Sequence, residues 1–317
     1  MISFENRVVI VTGAGGGLGR CYALDIARRG GAVVVNDLGG SVEGTGGSSE
    51  MANQMVAEIR ALGGRAIASA DSVASEAGAK CIAEAAMDNF GRIDGLINNA
   101  GNMRNAPFED SRLEDLEAQI AVHLVGSYNI TKAVWRQMKT QGYGRVVFTT
   151  SSAGLFGNPT QSGYGAAKAG VTGLMNVVAN EGQAFGILCN GLMPNGMSRM
   201  ARRAAEGMDL SKQQEKAPFM AELGNAMDLE FNTGIAVYLA SESCHTTHGI
   251  YSSCAGRIAR VFIGATEGWQ GSRQEPATAE DMAANFDQIL VLRRGILLPM
   301  TPIDEHRIAI TKPAPLA

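Results

Sequence analysis

Short apolar runs rich in β-branched residues recur along the first 200 residues, and each is followed by a longer stretch with helical spacing. Runs without polar alternation are typical of strands that are buried on both faces, as in a parallel sheet covered by helices. The predicted strands cover residues 8–11, 32–36, 66–70, 93–97, 145–149 and 187–192. The predicted helices cover residues 18–29, 50–61, 74–90, 114–140 and 164–184. This alternation predicts an α/β fold with a doubly wound parallel sheet.

The second half of the chain is less regular. Residues 197–230 predict helical stretches but no strand, and residues 249–256 and 257–262 predict one or two closing strands. The run from Thr278 to Asp281 predicts the start of a helix over residues 282–289, with Thr278 as its cap. Residues 39–49 are rich in Gly and Ser and predict a mobile surface loop. Because neither a repeat nor a linker is visible, we predict one Rossmann-type domain over residues 1–263 and a C-terminal extension over residues 264–317.

Composition narrows the function classes. The net charge is −4 and the lysines and arginines form no cluster, which argues against nucleic acid as a partner. The five cysteines form no C-x-x-C pair, which favours a reducing compartment. No apolar run approaches the ~20 residues needed to span a bilayer, and the N-terminus has no leader pattern. We therefore expect a soluble, cytoplasmic protein that acts on a small molecule and does not bind a membrane.

A glycine-rich turn follows the first predicted strand, where a doubly wound sheet binds dinucleotides. Such a turn lets backbone N–H groups and a helix N-terminus meet a pyrophosphate. Its candidate cofactor residues are Thr12, Gly13, Gly17, Leu18 and Gly19. Asp37 ends the second strand, where a carboxylate accepts hydrogen bonds from the adenosine ribose and repels a 2′-phosphate. Since Gly16 and Leu38 offer no guanidinium, NAD is the predicted cofactor, although a solvated turn aspartate is the alternative for Asp37.

Tyr164 and Lys168 stand four residues apart, which places them one turn apart on one helix face, and Ser151 follows the fifth strand. Tyrosine is a poor base at neutral pH, because its ordinary pKa is about 10. A neighbouring ammonium group lowers that pKa, and a hydroxyl holds the substrate oxygen. These three residues predict alcohol–ketone interconversion by hydride transfer, with Tyr164 as the general acid or base and no metal.

Together these motifs resemble the short-chain dehydrogenase/reductase family over residues 4–256. The resemblance also uses Asp71, the run from Asn98 to Gly101, and Pro194. It implies that Asp71 and Ser72 flank the adenine, and that Lys168 and Tyr164 also contact the cofactor. The other cofactor residues implied by the resemblance are Asn99, Ala100, Gly101, Pro194, Asn195 and Met197.

Several stretches, among them the one from Val35 to Gly40 and Val122-His123-Leu124, are similar to the (3R)-hydroxyacyl-CoA dehydrogenase module of type 2 peroxisomal multifunctional enzymes. Most of the wider family has Asn where His123 stands, and that Asn holds a water in a proton relay. Two interpretations of His123 stay open: it relays protons itself, or it packs in a helix.

The substrate is open between a 3-hydroxyacyl-CoA and a bulky apolar alcohol, such as a hydroxysteroid or an aryl carbinol. Residues 197–230 occupy the family's substrate-loop position, and Arg202, Arg203, Lys212 and Lys216 there are candidates for a CoA phosphate. Two rival functions are an NADPH-dependent 3-oxoacyl reductase and a non-catalytic dinucleotide-binding regulatory protein. The family resemblance also implies a homodimer or homotetramer that uses the helices at residues 114–140 and 164–184.

Overall fold

The computed structural model describes residues 1–206 and 222–291, with no side-chain detail for residues 203–206. The chain divides into two compact units, Met1–Arg260 and Val261–Ala317. The first unit is built on an eight-stranded sheet with the strand order β3-β2-β1-β4-β5-β6-β7-β8, in which β1 to β7 pair in parallel. The strands are β1 Val8–Thr12, β2 Ala32–Asn36, β3 Arg65–Ser69, β4 Gly95–Asn98, β5 Gly144–Thr149, β6 Ile187–Pro194, β7 Ile250–Cys254 and β8 Arg257–Val261.

Helices cover both faces of this sheet, which explains why every residue of β1, β2, β4 and β5 is buried. The helices of the first unit are α1 Gly17–Arg28, α2 Glu50–Ala61, α3 Glu76–Phe90, α4 Leu113–Ile120, α5 Gly126–Gln141, α6 Ser152–Leu155, α7 Ser162–Gly182, α8 Arg199–Glu206 and α9 Thr233–Ala240. On one face, Tyr22 and Ile26 of α1, Ile59 of α2 and Leu239 of α9 form a single buried cluster with alternate strand residues. The opposite face carries α3, α5 and α7.

The direction of winding reverses between β1 and β4, because β2 and β3 lie on one side of β1 and the later strands lie on the other. Ligands of doubly wound sheets bind at the carboxyl ends of the strands, at this reversal. The predicted fold class is therefore confirmed, and the reversal places the candidate site beyond Thr12 and Asn98.

The predicted helix over residues 114–140 is not continuous. A π-helical turn, Ala121–Val125, separates α4 from α5, and π-helical turns are frequent at functional sites. His123 lies in the middle of this turn.

A two-residue turn connects the last two strands of the sheet. Ala255 and Gly256 join β7 to β8 with φ of 49° and 79°, the positive pair that a type I′ hairpin requires. Both predicted closing strands are present, each slightly shorter than the pattern indicated.

The second unit contains α10, Ala279–Leu290. Its N-cap is Thr278, whose hydroxyl accepts a hydrogen bond from the Asp281 backbone N–H while the Asp281 carboxylate accepts one from the Thr278 backbone N–H. This capping box confirms Thr278 as the predicted cap, and the helix begins at Ala279. None of the helices in the described ranges is long and apolar enough to cross a membrane.

Candidate active site

The glycine turn between β1 and α1 is tied to the end of β4. The Thr12 hydroxyl accepts hydrogen bonds from the backbone N–H groups of Asn99 (3.0 Å) and Ala100 (3.1 Å). The Asn99 side chain donates to the carbonyl oxygens of Thr12 (2.9 Å) and Gly13 (3.1 Å). Thr12 and Asn99 therefore fix the position of the turn relative to the end of β4.

Small residues are obligatory in this turn. Gly13 has a φ of 64°, and a Cβ there would lie 2.9 Å from the Cα of Ala100. A Cβ at Gly19 would collide with the Gly13 carbonyl. The resulting cradle exposes backbone N–H groups at the start of α1, so its shape and chemistry fit a pyrophosphate.

Asp37 lies beside the turn and is oriented by two backbone donors. Its carboxylate accepts hydrogen bonds from the N–H groups of Gly15 (2.8 Å) and Gly39 (2.8 Å), one on each oxygen. Each carboxylate oxygen can accept a second hydrogen bond, so the group can still receive ribose hydroxyls. The remaining acceptor positions fit the predicted ribose contact, while the Gly39 contact is that of a turn aspartate, so the role of Asp37 stays a prediction.

One groove collects most of the predicted cofactor residues. Its lining includes Gly13, Gly17, Leu18, Asp37, Asp71, Ser72, Asn99, Ala100 and Gly101. Thr12 and Gly19 lie beneath the groove as supports. The wall continues through Ser198, Arg199 and Met200, directly after the predicted Met197.

Arg199 is a groove residue that the sequence analysis missed. Its Nη2 atom would lie 3.5 Å from a Cβ built at Gly16. Gly16 and Leu38 offer no guanidinium, but the fold supplies one from the first turn of α8. No spacing rule could have found Arg199, since only the return of the chain after β6 brings it to the turn.

The Pro194–Met197 stretch is held by β7 and by the segment before α9. The Asn195 backbone N–H donates to the Ser253 carbonyl (2.8 Å), and the Asn232 side chain donates to the Asn195 carbonyl (2.9 Å). The Met197 backbone N–H donates to the carbonyl of Met227 (2.8 Å). Lys212 and Lys216 of the predicted substrate loop lie outside the described residues.

Ser151 and Tyr164 meet at the carboxyl end of β5. Ser151 is the N-cap of α6, and its hydroxyl accepts a hydrogen bond from the Ala153 backbone N–H (3.2 Å). Burial raises the pKa of Tyr164, and a side-chain hydrogen bond with Ser151 partly offsets that rise. In the protein without cofactor, Tyr164 is therefore a neutral phenol at physiological pH.

Lys168 lies one helical turn further along α7 and is 3% exposed. Its ammonium group donates to the Thr149 carbonyl (2.6 Å), and its Nζ lies 5.7 Å from the centre of the Tyr164 ring. Burial lowers the pKa of Lys168 to about 7. The predicted effect of Lys168 on the pKa of Tyr164 stays a prediction.

His123 packs edge-on against Tyr164, with ring centres 5.1 Å apart and planes at 86°. Its Nε2 lies 2.7 Å from the Asn102 carbonyl oxygen. The Asn102 backbone N–H also lies 3.3 Å from Nε2. The shorter contact is to a carbonyl, which only accepts, so it favours a proton on Nε2 and leaves Nδ1 as a buried acceptor without a hydrogen-bond partner. Burial, and then the charge of Lys168, lower the pKa of His123 well below 6.5, so its imidazole is neutral.

Comparisons with known proteins identify the family of this chain. Residues 7–208 match the family described as short chain dehydrogenase. A short-chain type dehydrogenase/reductase of Mycobacterium tuberculosis is 42% identical over 289 residues, which are 91% of this chain and 96% of that protein. The peroxisomal multifunctional enzyme type 2 of Mus musculus is also 42% identical over 289 residues, but the chain spans only 37% of its length.

Solved structures give the same result. The full-length peroxisomal multifunctional enzyme type 2 of Drosophila melanogaster superposes with a TM-score of 0.77 at 30% identity, covering 98% of this chain and 49% of that one. A 7α-hydroxysteroid dehydrogenase in complex with NADH and 7-oxo-glycochenodeoxycholic acid gives 0.70 at 25% identity, with coverage of 80% and 95%. An NAD⁺-bound xylitol dehydrogenase gives 0.71 at 28% identity, with coverage of 80% and 99%. The chain belongs to the short-chain dehydrogenase/reductase family and is an oxidoreductase whose structural neighbours bind a nicotinamide dinucleotide.

Proposed function

We propose that the protein interconverts a secondary alcohol and a ketone with NAD as the hydride carrier. The observation that carries this proposal is the placement of Lys168 one turn beyond Tyr164 on α7, with its Nζ 5.7 Å from the centre of the Tyr164 ring, next to Ser151 at the start of α6. When bound, the nicotinamide ring exchanges a hydride with the carbinol carbon. The groove lined by Gly13, Gly17 and Asp37 would hold the cofactor's phosphates and ribose.

The protein's own residues handle the proton. In reduction, the Tyr164 hydroxyl donates its proton to the substrate oxygen, a role that suits a phenol whose pKa is raised by burial. In oxidation, Tyr164 accepts the proton of the alcohol, and this requires the phenolate. A protonated Lys168 at this distance stabilises the phenolate by charge attraction in a site of low dielectric. Ser151 positions the substrate oxygen.

Removal of the Tyr164 hydroxyl tests this function. Tyr164→Phe should lower kcat by about 10²- to 10⁴-fold, the usual contribution of a general acid or base. NADH affinity should be nearly unchanged, because the hydroxyl lies at the substrate oxygen. Tyr128→Phe is the matched control, since Tyr128 is 49% exposed on α5. Rates for Tyr164→Phe that resemble the wild type would refute the proposal.

Two observations support two substrate classes. The sequence match to multifunctional enzymes of type 2, together with the likeness of residues 35–40 and 122–124 to their hydroxyacyl-CoA module, supports a 3-hydroxyacyl-CoA. The structural likeness to an enzyme that binds an oxo bile acid supports a bulky apolar alcohol. A screen of NAD reduction over hydroxyacyl-CoAs, hydroxysteroids and aryl carbinols separates the two.

The remaining expectations also stand as proposals. We infer a homodimer or homotetramer built through α5 and α7, and a C-terminal extension over residues 264–317. We also propose that the protein is located in the cytoplasm, although several similar proteins are named as peroxisomal enzymes. Fractionation of the source cells against a peroxisomal or soluble marker tests that location.

A further inference from the structure

The glycine-rich segment after β2 forms a closed loop, which we call the strap and define as residues 38–48. Its ends are joined by a hydrogen bond from the Ser48 N–H to the Leu38 carbonyl (2.8 Å). Its tip is a turn in which the Ser41 N–H donates to the Thr45 carbonyl (2.8 Å). Compact loops whose ends meet are frequently functional.

The strap is one wall of the dinucleotide groove. Gly40, Ser41, Val42 and Gly44 line the groove, together with Asp37 at the strap's base. The Gly39 N–H also holds the Asp37 carboxylate (2.8 Å). The position of the strap therefore determines both the width of the groove at this end and the orientation of Asp37.

The segment after β4 holds the strap in place by two hydrogen bonds. The Met103 N–H donates to the Val42 carbonyl (2.9 Å), and the Arg104 Nε donates to the Glu43 carbonyl (2.9 Å). The Arg104 guanidinium also pairs with Asp115 of α4, with 3.2 Å between Nη1 and Oδ1. The Arg104 backbone is held on both sides by Gln119, which is 1% exposed. Arg104 is thus fixed by the scaffold before it contacts the strap.

Gly44 shows how closely the strap fits against this segment. Its φ is 82°, and a Cβ there would lie 2.6 Å from the Asn102 side-chain nitrogen. Gly46 has a similar φ of 74°, but a Cβ there would meet nothing within 4 Å. A side chain at position 44 would therefore lift the strap, whereas one at position 46 would only impose the backbone cost.

We propose that the strap is part of the cofactor site and that Arg104 is a positioning residue, which sets how tightly the adenosine half of the dinucleotide is held. This inference rests on the proposed function, because it takes NAD as the ligand of the groove. Arg104 acts through the strap and contacts none of the reacting atoms.

The first test compares Arg104→Ala with Arg112→Ala. Both arginines pair with Asp115, but Arg104 alone holds the strap, and Arg112 is 69% exposed. Loss of a hydrogen bond from a charged group should raise the Kd of NADH for Arg104→Ala by about tenfold. The Kd of ADP-ribose should rise by the same factor. The kcat at saturating NAD and the melting temperature should stay close to the wild type, and Arg112→Ala should bind NADH normally.

The second test compares Gly44→Ala with Gly46→Ala, and it remains informative even if Arg104→Ala folds poorly. Gly44→Ala should raise the Kd of both NADH and ADP-ribose, and Gly46→Ala should leave both values unchanged. Wild-type protein that binds no NADH would refute the proposed function itself. Wild-type protein that binds NADH, alongside Arg104→Ala and Gly44→Ala variants with unchanged affinity, would overturn the role of the strap alone.

Discussion

Asp37 and Arg199 place opposite charges near the glycine turn. The Asp37 carboxylate is fixed by the Gly15 and Gly39 backbone, while the Arg199 guanidinium approaches Gly16. A carboxylate repels a 2′-phosphate and accepts ribose hydroxyls, whereas a guanidinium attracts phosphate. Cofactor preference at this site is therefore a balance between the two residues.

This balance predicts different outcomes for two substitutions. Asp37→Ala should lower kcat/KM for NAD by about tenfold, because charge-assisted hydrogen bonds to the ribose are lost. It should raise kcat/KM for NADP, since the repulsion disappears while Arg199 remains. Arg199→Ala should lower kcat/KM for NADP more than kcat/KM for NAD. Steady-state kinetics with both cofactors measures the ratios, with exposed Arg202→Ala as the control. Equal ratios in all four proteins would show that neither side chain faces the adenosine ribose.

Residue spacing along the chain was sufficient for some site residues and insufficient for others. Tyr164 and Lys168 could be predicted because both lie on one helix, where a separation of four residues determines a shared face. Arg104 and Arg199 could not, because contacts between segments far apart in sequence bring Arg199 to the groove and Arg104 to the strap. Asp37 was identified by its position at a strand end, but its two backbone donors depend on how the turn and the strap fold.

At the scale of elements, the π-helical turn Ala121–Val125 is the main departure from the predicted pattern. Apolar periodicity alone gives one continuous helix over residues 114–140, since a single extra residue in one turn hardly disturbs it. The turn directs His123 inward against Gly101 and Tyr164. The other predicted strands and helices are present, and their ends differ by only a few residues, as expected where caps decide the boundary. The short helices α6 and α9 were not predicted.

The neutral state of His123 leads to a prediction about this turn. His123→Asn should retain most of the activity, and the pH profile of kcat should not move, because the imidazole does not titrate near neutral pH. His123→Phe keeps the ring but leaves the Asn102 carbonyl without its donor, so it should cost about 1–3 kcal/mol of unfolding free energy. A profile displaced by His123→Asn would show that the imidazole itself carries a proton during turnover.

At the scale of the whole molecule, the proposed association through α5 and α7 leads to a prediction about exposed apolar side chains on these helices. Tyr128 is 49% exposed and Val177 is 55% exposed, and a Cβ at Gly173 would meet no atom within 4 Å. The open space beside Gly173 would let a second chain approach the α7 backbone closely. Val177→Glu should therefore reduce the mass measured by light scattering to that of the monomer, because burial of an unpaired carboxylate is costly. Ile258→Glu, at a position on β8 that is 46% exposed, should not change the mass. A wild-type protein that is already monomeric would contradict this assembly.

Burial of Lys168 makes the stability of the whole molecule depend on pH. Its pKa is 10.5 in the unfolded chain and about 7 in the folded protein. Between these values the unfolded chain binds more protons, so the free energy of unfolding rises as pH rises. Below about pH 7 both states are protonated, and the full penalty for the buried ammonium remains. Burial raises the pKa of the Cys189 thiol above 9.0, which has the opposite effect above pH 9.

The interval from pH 7 to pH 9 therefore isolates Lys168. In the protein without cofactor, the free energy of unfolding should rise by up to about 2 kcal/mol across this interval. Lys168→Met fills the same space without a titrating group, so this variant should be more stable than wild type at pH 7 and should show a nearly flat profile. Urea unfolding at the two pH values measures both quantities. Parallel profiles for the two proteins would mean that the Lys168 ammonium keeps its charge in the folded protein, and the phenolate of Tyr164 would then have a permanent cation beside it.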